Sequence, residues 1–242
     1  MKLSAPVYRL KYMAKALSRD EGIPLHAALD RIAAREGFAS WSMLASKLPQ
    51  ARPDNAALAS ALFGRLVPGD LVLLGARPGH GKTLMGLRLA VAAMRSGRQS
   101  VFFSLEYTER DMLERFRAIG VPPASFRHLF VFDSSDGICA GHIVRKLAGC
   151  AEGTLIVVDY LQLLDQKRDT PPLDEQIRTL EAFARARGVV FVFISQIDRR
   201  YDPFDKPCPD IGDVRLPNPL DLSLFSKACF INAGEMRLQA MG

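Results

Sequence analysis

Residues 68–83, PGDLVLLGARPGHGKT, decide the fold. Positions 71–74 form a short, wholly apolar run, the pattern of a strand buried on both faces of a parallel sheet. A turn rich in Gly and Pro follows and closes on Gly81, Lys82 and Thr83. Beyond it Leu84, Met85, Leu87, Leu89, Ala90 and Ala93 recur on the faces of a helix. Strand, glycine turn ending in GKT, helix: this is the order of a phosphate-binding loop. Gly79 and Gly81 let the backbone turn tightly and aim its N–H groups inward. The opening of the next helix adds its positive end. Lys82 is expected on the terminal phosphates of a nucleoside triphosphate, and Thr83 is expected to offer its hydroxyl to Mg2+. The phosphate cradle comprises Ala76, Arg77, Pro78, Gly79, His80, Gly81, Lys82, Thr83 and Leu84, with His80 expected to contribute only its backbone. The strict motif has Gly where this chain has Ala76.

Composition sets the frame. The chain has 242 residues, 48% hydrophobic and 24% charged, which suits a soluble α/β protein with one main domain and a small appendage. No apolar run approaches the roughly 20 residues of a membrane span, and no signal-peptide core opens the chain, so a cytoplasmic protein without membrane partners is expected. Cys139, Cys150, Cys208 and Cys229 lack metal-site spacing, and a disulfide framework is not expected. The net charge of +6 permits nucleic-acid binding without demanding it, and becomes informative only where it clusters.

Residues 1–48 read as a small all-helical module, 49–55 as a linker rich in Pro and polar residues, and 56–242 as the ATPase domain. The first helix is amphipathic and basic, Pro24 opens a second, and a third begins near Trp41. A DNA-binding headpiece and a packing or protein-docking module both fit. The docking reading is preferred, because nothing resembling a recognition helix stands out. From residue 56 onward short apolar runs alternate with helical patterns: strands at 100–105, 129–132, 155–158 and 189–194, and a long helix at about 173–187. That alternation predicts a mostly parallel central sheet flanked by helices.

In such a sheet, ligands bind beyond the carboxyl ends of the strands. Three apolar runs lead into polar residues there: Glu106, Asp159, and the pair Ser195 and Gln196. A carboxylate at Asp159 suits Mg2+, one at Glu106 suits a base for water, and Gln196 suits a sensor of the γ-phosphate. Singly each is also an ordinary cap or loop residue; behind a GKT loop they form a constellation.

The chain from about residue 68 to 232 resembles the RecA-like ATPase core of the DnaB family of replicative helicases. The resemblance is carried in order by PGDLVLLGARPGHGKT, FFSLEYT (102–108), LIVVDYLQLL (155–164), LDEQIRTLEAFARARG (173–188) and SQIDR (195–199). Asp213, Val214 and Arg215 are similar to a DLR segment in that family's DNA-facing loop. The resemblance implies a RecA-like P-loop NTPase fold, with Lys82 and Thr83 on phosphate and Mg2+. It also implies Glu106 as catalytic base, Asp159 as magnesium aspartate, Gln196 as γ-phosphate sensor, and ATP and Mg2+ as cofactors. In this fold the loops carrying Lys167, Arg168, Arg199, Arg200, Tyr201 and Arg215 would contact single-stranded DNA, cations tracking phosphates and Tyr201 stacking on a base. The chain departs from the family at its lysine–arginine strand, which GEMRLQAMG (234–242) does not match; Lys227, Arg237 or Arg199 would have to reach a neighbouring copy's nucleotide instead. No match to the family's larger N-terminal domain is visible. The implied function is a DnaB-like helicase or DNA-dependent ATPase, in a homo-oligomer. The alternatives are an ATP-gated adaptor that docks a protein partner through residues 1–48, and a binding-only relative, which the intact Lys82, Glu106 and Asp159 disfavour.

Overall fold

The computed structural model describes residues 3–47, 55–77, 79, 81–126, 128–165, 170–198, 200–202, 206, 208–216, 218–232 and 235–241. The linker expected at 49–55, Pro78, His80, Lys167, Arg168 and Arg199 fall wholly or almost wholly outside these residues. The chain divides into two compact units, with the boundary after Arg52.

The first unit holds α1 (Val7–Asp20), α2 (Leu25–Arg35) and α3 (Trp41–Lys47). Leu10 and Ala14 of α1, Ala28, Ile32 and Ala33 of α2, and Leu44 of α3 form its core, with Trp41 packed against them. The i, i+4 spacing in α1 and α2 turns one stripe of each helix inward.

The second unit is built on a seven-stranded sheet. Its strands are β1 (Leu71–Ala76), β2 (Ser100–Ser104), β3 (Phe130–Asp133), β4 (Leu155–Asp159), β5 (Val190–Gln196), β6 (Lys227–Asn232) and β7 (Glu235–Ala240). Their spatial order is β3-β2-β4-β5-β1-β6-β7, parallel except for β7. Helices α4 (Asn55–Phe63), α5 (Lys82–Arg95), α6 (Glu109–Ala118), α7 (Ala140–Lys146) and α8 (Leu173–Arg187) complete the unit. Alternate residues of β1 enter different cores: Leu71 and Leu73 join Ile143, Ile177 and Leu180 on one face, while Val72, Leu74 and Ala76 join Leu62, Leu87 and Leu89 on the other. Burial on both faces is why the strands read as unbroken apolar runs. Helix α5 lies close against the sheet because of Gly86, where a Cβ would come within 2.9 Å of Ile194 and 3.1 Å of Val157.

Two features differ from the sequence reading. Strand β2 ends at Ser104, two residues before Glu106, because Thr108 begins a capping box: Asp111 N–H donates to its Oγ1 at 3.3 Å, and Thr108 N–H donates back to Asp111 Oδ2 at 2.8 Å. The segment 235–240 is a strand, although it lacks β-branched residues. The exposed edge of β6 supplies a ladder of unpaired backbone groups, and pairing overrides the weak local preference.

Candidate nucleotide site

The site forms where the parallel strands end. Strand β5 lies between β1 and β4, so Gln196 pairs with Ala76 on one side while Ile194 pairs with Asp159 on the other. Strand β2 then sets Ser104 opposite Asp159. Phosphate loop, Gln196, Asp159 and Glu106 therefore follow one another across the ends of adjacent strands.

Gly81 caps α5 with φ 79°, a left-handed conformation that a side chain would strain, and Gly79 has φ 78°. A Cβ on either would meet nothing within 4 Å among the described residues beyond its chain neighbours. Lys82 and Thr83 open α5, placing Thr83 at 8% exposure beneath the turn with Leu84 beside it. Ala76 is the exception in the expected cradle. Its side chain is in the core and its carbonyl accepts from Ile197 N–H at 3.2 Å, so it closes β1 instead of facing a phosphate. Arg77 lies over the Tyr201 ring at 6.0 Å.

Asp159 decides what the site can hold. It is fully buried, and among the described residues neither carboxylate oxygen has a well-formed hydrogen bond, the Thr83 hydroxyl acting on it only as a poorly aligned donor. Burial pushes its pKa up to about 6, and the negative charge of Glu106 pushes the same way; the Thr83 hydroxyl, Lys82 and Arg115 oppose the rise. Those five side chains therefore converge electrostatically. An orphaned carboxylate beside a threonine hydroxyl is the oxygen donor set that a hard divalent cation takes, so the residues present fit Mg2+. Glu106 is exposed, past the end of β2, where its carboxylate can reach solvent; its N–H donates to Ser104 Oγ at 3.2 Å.

Arg115 went unnoticed in the sequence. Helix α6 turns it back so that its guanidinium carbon sits 4.1 Å from the centre of the Tyr107 ring, and its Nε is buried without a hydrogen-bond partner among the described residues. Ten residues from Glu106 to Arg115 form a turn and helix that return a cation to the site, and the spacing was the only available signal. Ser195 Oγ is likewise buried and unpartnered.

The expected DNA-facing residues separate. Arg200 and Arg215 are exposed. Arg215 is held on both sides: its N–H donates to the Gln196 carbonyl at 2.8 Å, and its own carbonyl accepts from Gln162 Nε2 at 2.9 Å. Tyr160, Gln162, Gln196 and Arg215 line one cavity of about 210 Å³. Tyr201 does not fit the stacking role: it is 6% exposed, its hydroxyl donates to the Lys206 carbonyl at 2.7 Å, and the ring is enclosed in the core. An aromatic in a charged loop reads as a base platform until burial shows that it anchors the loop. Lys227 is also spent elsewhere, on Asp70 at 2.5 Å before the opposite end of β1, whereas Arg237 on β7 is exposed.

Residues 56–121 match the family model described as "DnaB-like helicase C terminal domain". That stretch of the second unit is similar to the C-terminal domain of DnaB-like helicases. Curated relatives include the replicative DNA helicase DnaB of Helicobacter pylori strain J99, 28% identical over 194 residues, covering 65% of this chain and 40% of that protein. The DnaB of Haemophilus influenzae is 28% identical over 202 residues, covering 66% of this chain and 42% of that protein. The DNA repair protein RadA of Halalkalibacterium halodurans is 26% identical over 145 residues, covering 57% and 30%. The chain thus spans between about a fifth and two fifths of the length of the DnaB relatives it matches. Among solved structures, one ATPase domain superposes with a TM-score of 0.55 at 19% identity, covering 68% of this chain and 69% of that one. The second unit thus shares the α/β fold of that ATPase domain, and the family match reaches from α4 through the glycine turn and Glu106 to residue 121.

Proposed function

We propose that the DnaB-like core binds Mg2+-ATP and hydrolyses it in response to single-stranded DNA, as a helicase or DNA-dependent ATPase. The observation that carries this reading is the buried Asp159 carboxylate, without a well-formed hydrogen bond among the described residues and within the electrostatic reach of Thr83, Lys82 and Glu106. The backbone of residues 79–83 and Lys82 hold the β- and γ-phosphates, and Thr83 and Asp159 hold the metal. A Mg2+ held by Thr83 and Asp159 would supply neutralisation of the phosphate charge. Glu106, exposed at the rim, orients a water and accepts its proton. Lys82 and Arg115 offset the charge that develops on the transferred group. Gln196 touches the γ-phosphate, and its carbonyl grips the Arg215 N–H, so a shift of Gln196 moves the Arg215 backbone. Arg200 and Arg215 contact the strand's phosphates. A homo-oligomer would let Arg237 reach a neighbouring nucleotide.

The test is ATP hydrolysis by the purified chain with and without single-stranded DNA, with Lys82→Ala as the blank. Stimulation by DNA that disappears in the variant supports the reading. Turnover indifferent to DNA removes the helicase-like role and leaves an ATP-gated switch, the adaptor alternative.

A further inference from the structure

The chain's net charge is concentrated in its first unit. Residues 1–52 hold nine of the 32 Lys and Arg but four of the 26 Asp and Glu, which assigns +5 of the total +6 to about a fifth of the sequence. Three of those four acids are occupied inside the unit. Glu21 pairs with Arg31, Glu36 accepts from Ser4 N–H at 2.8 Å and from the Ser4 hydroxyl, and Asp30 accepts from Trp41 N–H at 2.8 Å. Three cations of α1 are not so occupied. Lys11, Lys15 and Arg19 are exposed and make no ion pair with any described residue. Their i, i+4, i+8 spacing aligns them on one face, in steps of about 6 Å along the helix axis.

We propose that this row is a docking surface for duplex DNA, which it holds through the phosphodiester backbone. Charge complementarity selects a polyanion. Every fully exposed position described on α1 is charged (Arg9, Lys11, Lys15, Arg19 and Asp20), while Leu10, Ala14, Met13 and Leu17 face the unit's own core. A bilayer surface would need apolar side chains on the outward face, and none is described there. A straight row of cations on a rigid helix suits the regular backbone of a duplex, and backbone binding needs no recognition helix. Duplex binding by α1 needs no nucleotide: the strand-end loops would handle single strands, while α1 would hold the unopened duplex.

The experiment titrates the full-length chain against a labelled 20-base-pair duplex between 50 and 300 mM salt, without nucleotide. The parent is compared with the triple variant Lys11→Gln, Lys15→Gln, Arg19→Gln and with the charge-keeping Lys11→Arg, Lys15→Arg, Arg19→Lys. Loss of three phosphate contacts should flatten the slope of log Kobs against log salt by about 2 to 3 and weaken binding at 50 mM about tenfold or more. The charge-keeping variant should behave as the parent, and all three should keep the same helical circular dichroism and DNA-free ATPase rate. An unchanged slope in the glutamine variant overturns the proposal, as does a parent that ignores duplex. Equal affinity for polyglutamate of matched charge overturns it in favour of an acidic protein partner.

Discussion

Asp159→Asn should make the nucleotide-free protein more stable, not less. The carboxylate is fully buried without a well-formed hydrogen bond among the described residues, and its pKa stands at about 6 against 3.8 for the free side chain. Two pKa units correspond to about 3 kcal/mol. Because the folded-state value is raised, the sign runs against folding: above pH 6 the native state carries a charge it disfavours, and the full cost is present. As pH falls from 6 to 4 the native carboxyl takes up its proton ahead of the unfolded chain, and the cost disappears. The amide of Asn removes the charge but remains a buried polar group lacking a partner, which returns about 1 kcal/mol. A net gain of about 2 kcal/mol at pH 7 remains, or roughly 4–8 °C in melting temperature for a domain of this size. Urea unfolding of parent and variant in EDTA, at pH 7 and pH 4.5, measures it. The gain should be present at pH 7 and nearly absent at pH 4.5, and Mg2+-ATP should stabilise the parent but not the variant. A variant that is no more stable at pH 7, or a gap independent of pH, would refute the account of Asp159 as an unpaired buried charge kept for a cation.

Three further outcomes follow from the geometry. Arg115→Met should lower ATP turnover about tenfold or more with nucleotide binding largely kept, and Tyr107→Leu should share the loss while Tyr107→Phe does not, because the ring holds the guanidinium. Asp133 resists the upward push of burial: Ser135 N–H and hydroxyl, His142 and Lys146 together hold its pKa down at about 2. Its stabilisation is fully present well above pH 4 and lost as pH falls through 2, so Asp133→Asn should cost about 1–2 kcal/mol at pH 6 and about a third of that at pH 2.5 in chemical denaturation. Gln176, buried at the start of α8, accepts from Ala140 N–H at 2.9 Å and donates to the Leu164 and Pro171 carbonyls at 2.6 and 2.8 Å; Gln176→Leu should cost about 2–3 kcal/mol, read by the same unfolding assay.

Much of the fold was legible because a parallel sheet buried on both faces writes itself as apolar runs separated by helical periodicity. Strands β1, β2, β4 and β5 emerged in that way, with boundaries off by one or two residues. The edges were harder. Strand β7 has no local signature, since its strand character comes from pairing with β6. The site was legible where chemistry is tied to spacing along the chain, as in residues 79–83 and Asp159. It was not legible where it depends on what a helix brings back. Arg115 reaches the site only because α6 reverses direction, and Tyr201 leaves the surface only because the segment after β5 folds inward.

Asp70 and Asp159 show why residue type alone could not separate structure from function. Both are aspartates at a boundary of a buried parallel strand, at opposite ends of the sheet, and both are almost wholly removed from solvent. Asp70 accepts from Val67 N–H at 2.7 Å and Ser226 Oγ at 2.7 Å, and it pairs with Lys227 at 2.5 Å. Its charge is answered by the fold, and that satisfaction is its role: it ties the start of β1 to the start of β6. Asp159 has the same charge and less solvent, yet among the described residues neither of its oxygens has a well-formed hydrogen bond, and only the Thr83 hydroxyl bears on it as a donor. A fold that supplies three partners to one buried carboxylate and withholds them from another has left the second for something it does not itself contain. A lysine and a threonine at the mouth of a glycine turn limit what that can be. The orphaned oxygens, more than the aspartate, identify the end of β4 as the working end of the sheet.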